Sequence, residues 1–193
     1  MHETIDEPAL LEESPRPEPE PEQPPRESDQ HARGALLVPE GYAVIEGTTE
    51  GGPRSVGVVV SRFNGEITDR MLRDALEELE RLGVPRERVT VMLVPGAFEL
   101  PIAAMALAKT RRYACVVALG CVIRGDTPHS DLVAGEAASG LQLAGLETGV
   151  PVSFGLLTVE DVAQAEARIG KAGEAVRTGL EMAHAFAQLR TAV

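Results

Sequence analysis

Four short stretches of this 193-residue chain could bring reactive side chains and bare backbone together: Arg62-Phe63-Asn64, Pro95-Gly96-Ala97-Phe98-Glu99, Gly120 to His129 (GCVIRGDTPH), and Phe154 after Pro151-Val152-Ser153. The third ends where a helix is expected to start, near Ser130. Backbone N–H groups at such a start, with Gly125 and the Thr127 hydroxyl, suit an anion. Asp126 would repel that anion if it pointed inward, so its side chain is expected to face away. His129 stands at the mouth of the loop, and imidazole exchanges protons near neutral pH. Of the four histidines, His2 and His31 fall in an acidic N-terminal stretch and His184 in the last expected helix. A lone histidine is more often structural than catalytic, and the anion loop beside His129 is what shifts that balance.

Phe63 leaves an apolar run toward its rim, where the ring could stack on a flat heterocycle or cap the core. Glu99 lies at an expected helix start, where a carboxylate is favoured by the dipole alone. It could equally accept hydrogen bonds from a ligand. Nothing in the sequence marks Cys121 as a low-pKa nucleophile, and its position asks only for a small side chain.

These loops need a frame. Short β-branched runs alternate with helical periods: strands at 55–61, 89–94, 114–119 and 152–157, and helices at 69–82, 99–110, 130–148 and 172–189, with a short helix capped by Thr158. A brief strand is expected at Tyr42 to Glu46. Such alternation implies right-handed crossovers and a four-stranded, mainly parallel sheet in a three-layer α/β/α sandwich of flavodoxin-like order. Ligands of open sheets bind beyond the carboxyl ends of the strands, and all four stretches are expected at strand ends.

The bulk properties narrow the function further. The net charge is −12, but residues 1–33 hold ten Asp or Glu against three Arg, a net of −7, which leaves −5 for the rest. A nucleic-acid partner is not expected of such a chain. Residues 1–34 also hold seven of the fourteen prolines, and are expected to form a disordered acidic tail ahead of one domain at 35–193. Cys115 and Cys121 make a poor disulfide framework, and no apolar run is long enough to span a membrane, so a reduced, cytoplasmic protein is expected. One core histidine without companion Cys, His or Asp spacing gives no metal site.

Taken together, in this order and spacing, the RFN tripeptide, the PGAFE turn and the RGDTPH loop resemble the lumazine synthase family over about Tyr42 to Ala185. The resemblance implies a cofactor-free condensation of 5-amino-6-(D-ribitylamino)uracil with 3,4-dihydroxy-2-butanone 4-phosphate. It implies that Phe63 stacks on the pyrimidinedione and that Asn64 adds a substrate contact. Glu99 would bind the ribityl hydroxyls beside the backbone of Ala97 and Phe98, and the backbone of Cys121, Val122 and Ile123 would meet the ring edge. Gly125, Asp126 and Thr127 would form the phosphate loop, with His129 moving protons. Phe154 and Arg168 would come from a neighbouring subunit, which makes a pentamer the minimal active unit, with riboflavin synthase a further partner.

Two departures from the family pattern stand out. Ser130 and Leu132 replace the aromatic residues usual after the histidine, and the glycine-rich link after Arg168 is shortened to Ile169-Gly170-Lys171-Ala172-Gly173. They keep open a lumazine- or flavin-binding shell protein without turnover, and leave pentamer, paired pentamers or closed cage undecided. A mononucleotide-binding flavodoxin-like domain fits less well, since its phosphate loop should be rich in Ser, Thr and Gly where this chain has Arg62-Phe63-Asn64.

Overall fold

The computed structural model describes residues 36–191; the acidic stretch at 1–34 lies outside them. Strands β1 (Val56–Ser61), β2 (Val89–Val94), β3 (Cys115–Ile123) and β4 (Val152–Val159) form one sheet in the order β2-β1-β3-β4, every pair parallel. Helices α1 (Gly65–Arg81) and α5 (Lys171–Thr191) cover one face, α2 (Leu100–Lys109) and α3 (His129–Thr148) the other, and α4 (Val162–Glu166) is a short turn after β4. The strands are nearly continuous apolar runs because both faces are covered. Val58, Val117 and Leu119 pack toward α1 and α5, while Val59, Val116 and Ala118 pack toward α2 and α3.

Helix α1 buries Ile67, Met71, Ala75 and Leu79, a stripe of i, i+4 spacing. Its end is a Schellman turn: Gly83 takes φ +83, its N–H donates to Glu80 O, and the Val84 N–H donates to Leu79 O. The helix starts four residues earlier than its periodicity suggests. Asn64 adopts the left-handed conformation (φ 56, ψ 47) that Asn tolerates, so the chain turns at once, and Thr68 is buried inside the helix rather than capping it.

The chain between β3 and α3 is also shorter than expected. Gly120 is no turn: a Cβ there would lie 2.8 Å from Leu156, 3.0 Å from Leu100 and 3.1 Å from the Ser61 hydroxyl, so glycine permits close packing and β3 runs on to Ile123. Strand β4 likewise continues through Thr158, and Asp161 does the capping, its Oδ1 accepting the Gln164 N–H at 2.8 Å. The expected strand at Tyr42 to Glu46 is absent. A strand needs a backbone partner, and this segment instead leads into contacts with α5, where Gln188 Nε2 donates to Glu46 O (2.7 Å) and Thr48 N–H to His184 Nδ1 (2.9 Å).

An ion pair joins the two helices of the α1/α5 layer. Arg177 Nη1 donates to Glu78 Oε1 at 2.7 Å, with the side chains only 16% and 11% exposed. Burial would raise the Glu78 carboxyl, but hydrogen bonds from Arg81 and Arg177 outweigh it and hold the group below the ordinary 4.5. A depressed carboxyl stabilises the fold above the unfolded value and loses that contribution as pH falls below about 4.5. Arg177→Ala should therefore cost on the order of 2–3 kcal/mol in urea unfolding at pH 7, under the range for fully buried pairs because Arg81 remains. The difference from the parent should shrink by pH 3.5.

Candidate active site

The register of the sheet opens a crevice. β1 pairs with β3 only as far as Val60 opposite Leu119, whereas β3 and β4 stay paired to Ile123 opposite Val159. The last four residues of β3 therefore overhang the turn that ends β1. Backbone groups alternate from side to side along a strand. The Arg124 N–H donates to Val159 O on the β4 side, and Cys121 O accepts from Asn64 Nδ2 (2.9 Å) on the β1 side. Cys121 and Ile123 thus direct their peptide groups into the crevice, and Val122 directs its own to β4. This is the point where strand order reverses, with β1 and β3 adjacent but β2 intervening in sequence.

Two loops are tied to each other and to β3 around it. The Arg62 N–H donates to Val94 O (2.9 Å) and the Phe63 N–H to Pro95 O (3.1 Å), which fastens the first loop to the second. The Asn64 amide fastens it to β3. Asn64 thus spends a donor on the fold, a role its sequence position did not indicate. Phe63 is 71% exposed, which rules out the core-capping reading and leaves its face open on the rim. Ala97 is buried and Phe98 exposed in a 3-10 turn that leads into α2.

Glu99 Oε2 accepts the Gly96 N–H at 3.0 Å, the local helix-start role its position suggested. A carboxylate has about four lone-pair sites, so this bond leaves acceptor capacity for a ligand. His129 is the first residue of α3 and is exposed, as are Gly125, Asp126 and Thr127 before it. A Cβ at Gly125 would meet nothing within 4 Å. The fold itself therefore does not demand a glycine there.

Arg124 was not singled out by its sequence context. Its Nη2 lies 3.1 Å from Asp131 Oδ1 and its Nη1 3.1 Å from Glu160 Oε1, and these carboxylates, Asp131 foremost, raise its pKa above the ordinary guanidinium value. A pocket of about 40 Å³ lies against this group, lined also by Ser130, Thr158 and Val159. A larger groove, of about 400 Å³, lies elsewhere, between α1 and the β2 edge.

Phe154 and Arg168 stand apart from the loops. Phe154 lies inside β4, opposite Ala118, not at a strand end. Five residues of strand, about 16 Å, separate it from Val159 at the carboxyl end. Arg168 is exposed between α4 and α5, its Nη1 donating to Gln164 O.

Both cysteines are free and buried. Burial pushes the Cys121 thiol up to about 11; for Cys115 burial, partly offset by Arg54, pushes it up to about 12. Neither is a thiolate at neutral pH, so Cys121 can serve the site through backbone alone. Ellman's reagent at pH 8 should react with both thiols only after denaturation. Rapid labelling of native Cys121 would contradict this.

The molecule is thus a doubly wound α/β domain whose first two carboxyl-end loops join β3 in an open shelf at the topological switch. Residues 53–189 match the family described as 6,7-dimethyl-8-ribityllumazine synthase. Proteins of that name from Yersinia pestis (strain Pestoides F) and Yersinia pseudotuberculosis serotype O:1b (strain IP 31758) are each 47% identical over 145 residues, which covers 72% of this chain and 93% of theirs. The chain belongs to the 6,7-dimethyl-8-ribityllumazine synthase family. Among the described residues no helix is long and apolar enough to cross a membrane.

Proposed function

We propose that the protein condenses 5-amino-6-(D-ribitylamino)uracil with 3,4-dihydroxy-2-butanone 4-phosphate to give 6,7-dimethyl-8-ribityllumazine, phosphate and water, without a cofactor. The observation that carries this reading is the β3 overhang with the Arg62–Asn64 and Pro95–Glu99 loops bonded beside it. Phe63 stacks on the pyrimidinedione, the peptide groups of Cys121 and Ile123 meet its edge, and Glu99 with the Ala97-Phe98 backbone takes the ribityl hydroxyls. The phosphate rests on the Gly125 to Thr127 backbone at the start of α3, where helix N–H groups lack internal partners.

His129 moves the protons. The ring amine attacks the ketone, and the carbinolamine loses water once its hydroxyl is protonated. Removal of a carbon-bound proton then drives out phosphate, and the second amine nitrogen closes the ring with loss of another water. Each step passes a proton at one place, which a single imidazole can serve in turn.

Phe154 and Arg168 act in the site of an adjacent protomer. Phe154 is 51% exposed and too far along β4 to reach its own shelf. Ile102, Leu132 and Leu146 are 66–74% exposed, apolar side chains that an adjacent protomer would cover. The working form is therefore a homo-oligomer, a pentamer or a shell built from pentamers, acting in the cytoplasm on a domain spanning 35–193, with riboflavin synthase as a further partner.

Steady-state assay of the full chain with both substrates tests the reaction. Lumazine absorbance and inorganic phosphate should appear in a one-to-one ratio. Micromolar lumazine binding with no turnover would instead support the non-catalytic shell that Ser130 and Leu132 suggest.

A further inference from the structure

Arg124 opens the anion loop, yet its guanidinium is turned to two carboxylates outside it. Asp131 lies in the first turn of α3, two residues past His129, and Glu160 directly follows β4. The guanidinium bridges them at 3.1 Å each, and the same residue's N–H donates to Val159 O at 2.8 Å. All three side chains are about half exposed, so either pair alone contributes little to global stability. Their placement has a different consequence. The loop leaves β3 at Ile123 and re-enters regular structure at His129, and this cation fastens its departure point to both α3 and β4.

We infer that Arg124, with Asp131 and Glu160, is a positioning residue: a clasp that holds the Gly125–His129 loop in one geometry while keeping the arginine's own charge away from the bound anion. The inference rests on the phosphate-loop reading given above. Two carboxylates against one guanidinium leave a net −1 beside the loop. The anion's countercharge must then come from outside this cluster, and the loop contributes oriented N–H groups, not a cation.

The clasp and a direct Arg124–phosphate contact give opposite results when both carboxylates are neutralised. In the Asp131→Asn/Glu160→Gln protein a clasp is released, so inhibition by inorganic phosphate should weaken about tenfold, as expected of a misplaced binding group. A direct contact would instead be strengthened by the freed guanidinium, and tighter phosphate inhibition would overturn the inference. Arg124→Ala should match the double variant, and the triple variant should lose no more than either, because members of one network are not additive. Arg124→Lys should recover part of the loss. The KM for the butanone phosphate should rise together with a fall in kcat, with thermal midpoints within a few degrees of the parent.

Amide hydrogen exchange separates this inference from the reaction it serves. Residues 124–131 should exchange several-fold faster in Arg124→Ala whether or not the protein turns over; unchanged protection would overturn the clasp. A parent chain that neither forms lumazine nor responds to phosphate would overturn the proposed function instead.

Discussion

Replacing His129 by alanine is expected to lower kcat by roughly 10²–10⁴, the usual contribution of a positioned proton-transfer group. KM for either substrate should change little, because the proposed site assigns the ring to Phe63 and the β3 overhang and the phosphate to the backbone of 125–127. A variant within about threefold of the parent in kcat would leave His129 a structural helix-start residue. Steady-state kinetics across pH 5–9 makes the distinction.

Arg168→Ala is expected to cost about 10² in kcat/KM for the phosphorylated substrate. A charge-assisted pair sealed at a subunit seam is worth 2–5 kcal/mol when one partner is removed, and roughly 2.7 kcal/mol is a hundredfold. The loss should fall mainly on KM for the butanone phosphate, and Arg168→Lys should regain part of it as a point charge without the fork. An unchanged KM would make Arg168 the solvated turn charge that its exposure in a single chain would suggest. The clasp on Arg124 sharpens this prediction, since the nearest cation to the loop is already occupied.

Much of this was legible in the residues, for identifiable reasons. Periodicity located all four core strands, because a parallel sheet covered on both faces forces uninterrupted Val-rich runs such as Val56 to Val60. The boundaries that failed were set by tertiary contact. Gly120 reads as a turn until Leu100, Leu156 and Ser61 are seen to close on it, and Thr158 reads as a cap until β3 is seen to pair with it. Tyr42 to Glu46 reads like a strand, yet among the described residues no strand pairs with it.

Site legibility divides in the same way. Phe63, Glu99 and His129 stand out because their types and loop positions suggest stacking, acceptance and proton transfer. Asn64 and Arg124 were opaque, since their roles depend on partners 57 and 36 residues away, Cys121 and Glu160. Spacing along one chain carries no signal for such pairs. The altered Ser130 and Leu132 now have places as well: Ser130 is half-buried beside the Arg124 cluster, and Leu132 is 66% exposed, on a surface where a neighbouring subunit could supply packing.

Co-assembly of two crippled proteins puts the shared site to its hardest trial. His129→Ala and Arg168→Ala chains, unfolded together and refolded as mixed oligomers, should regain about a quarter of the parent activity, since one seam in four then joins an intact His129 to an intact Arg168. Activity no greater than the average of the two separate variants, in oligomers shown by native mass spectrometry to be mixed, would mean that each subunit works alone.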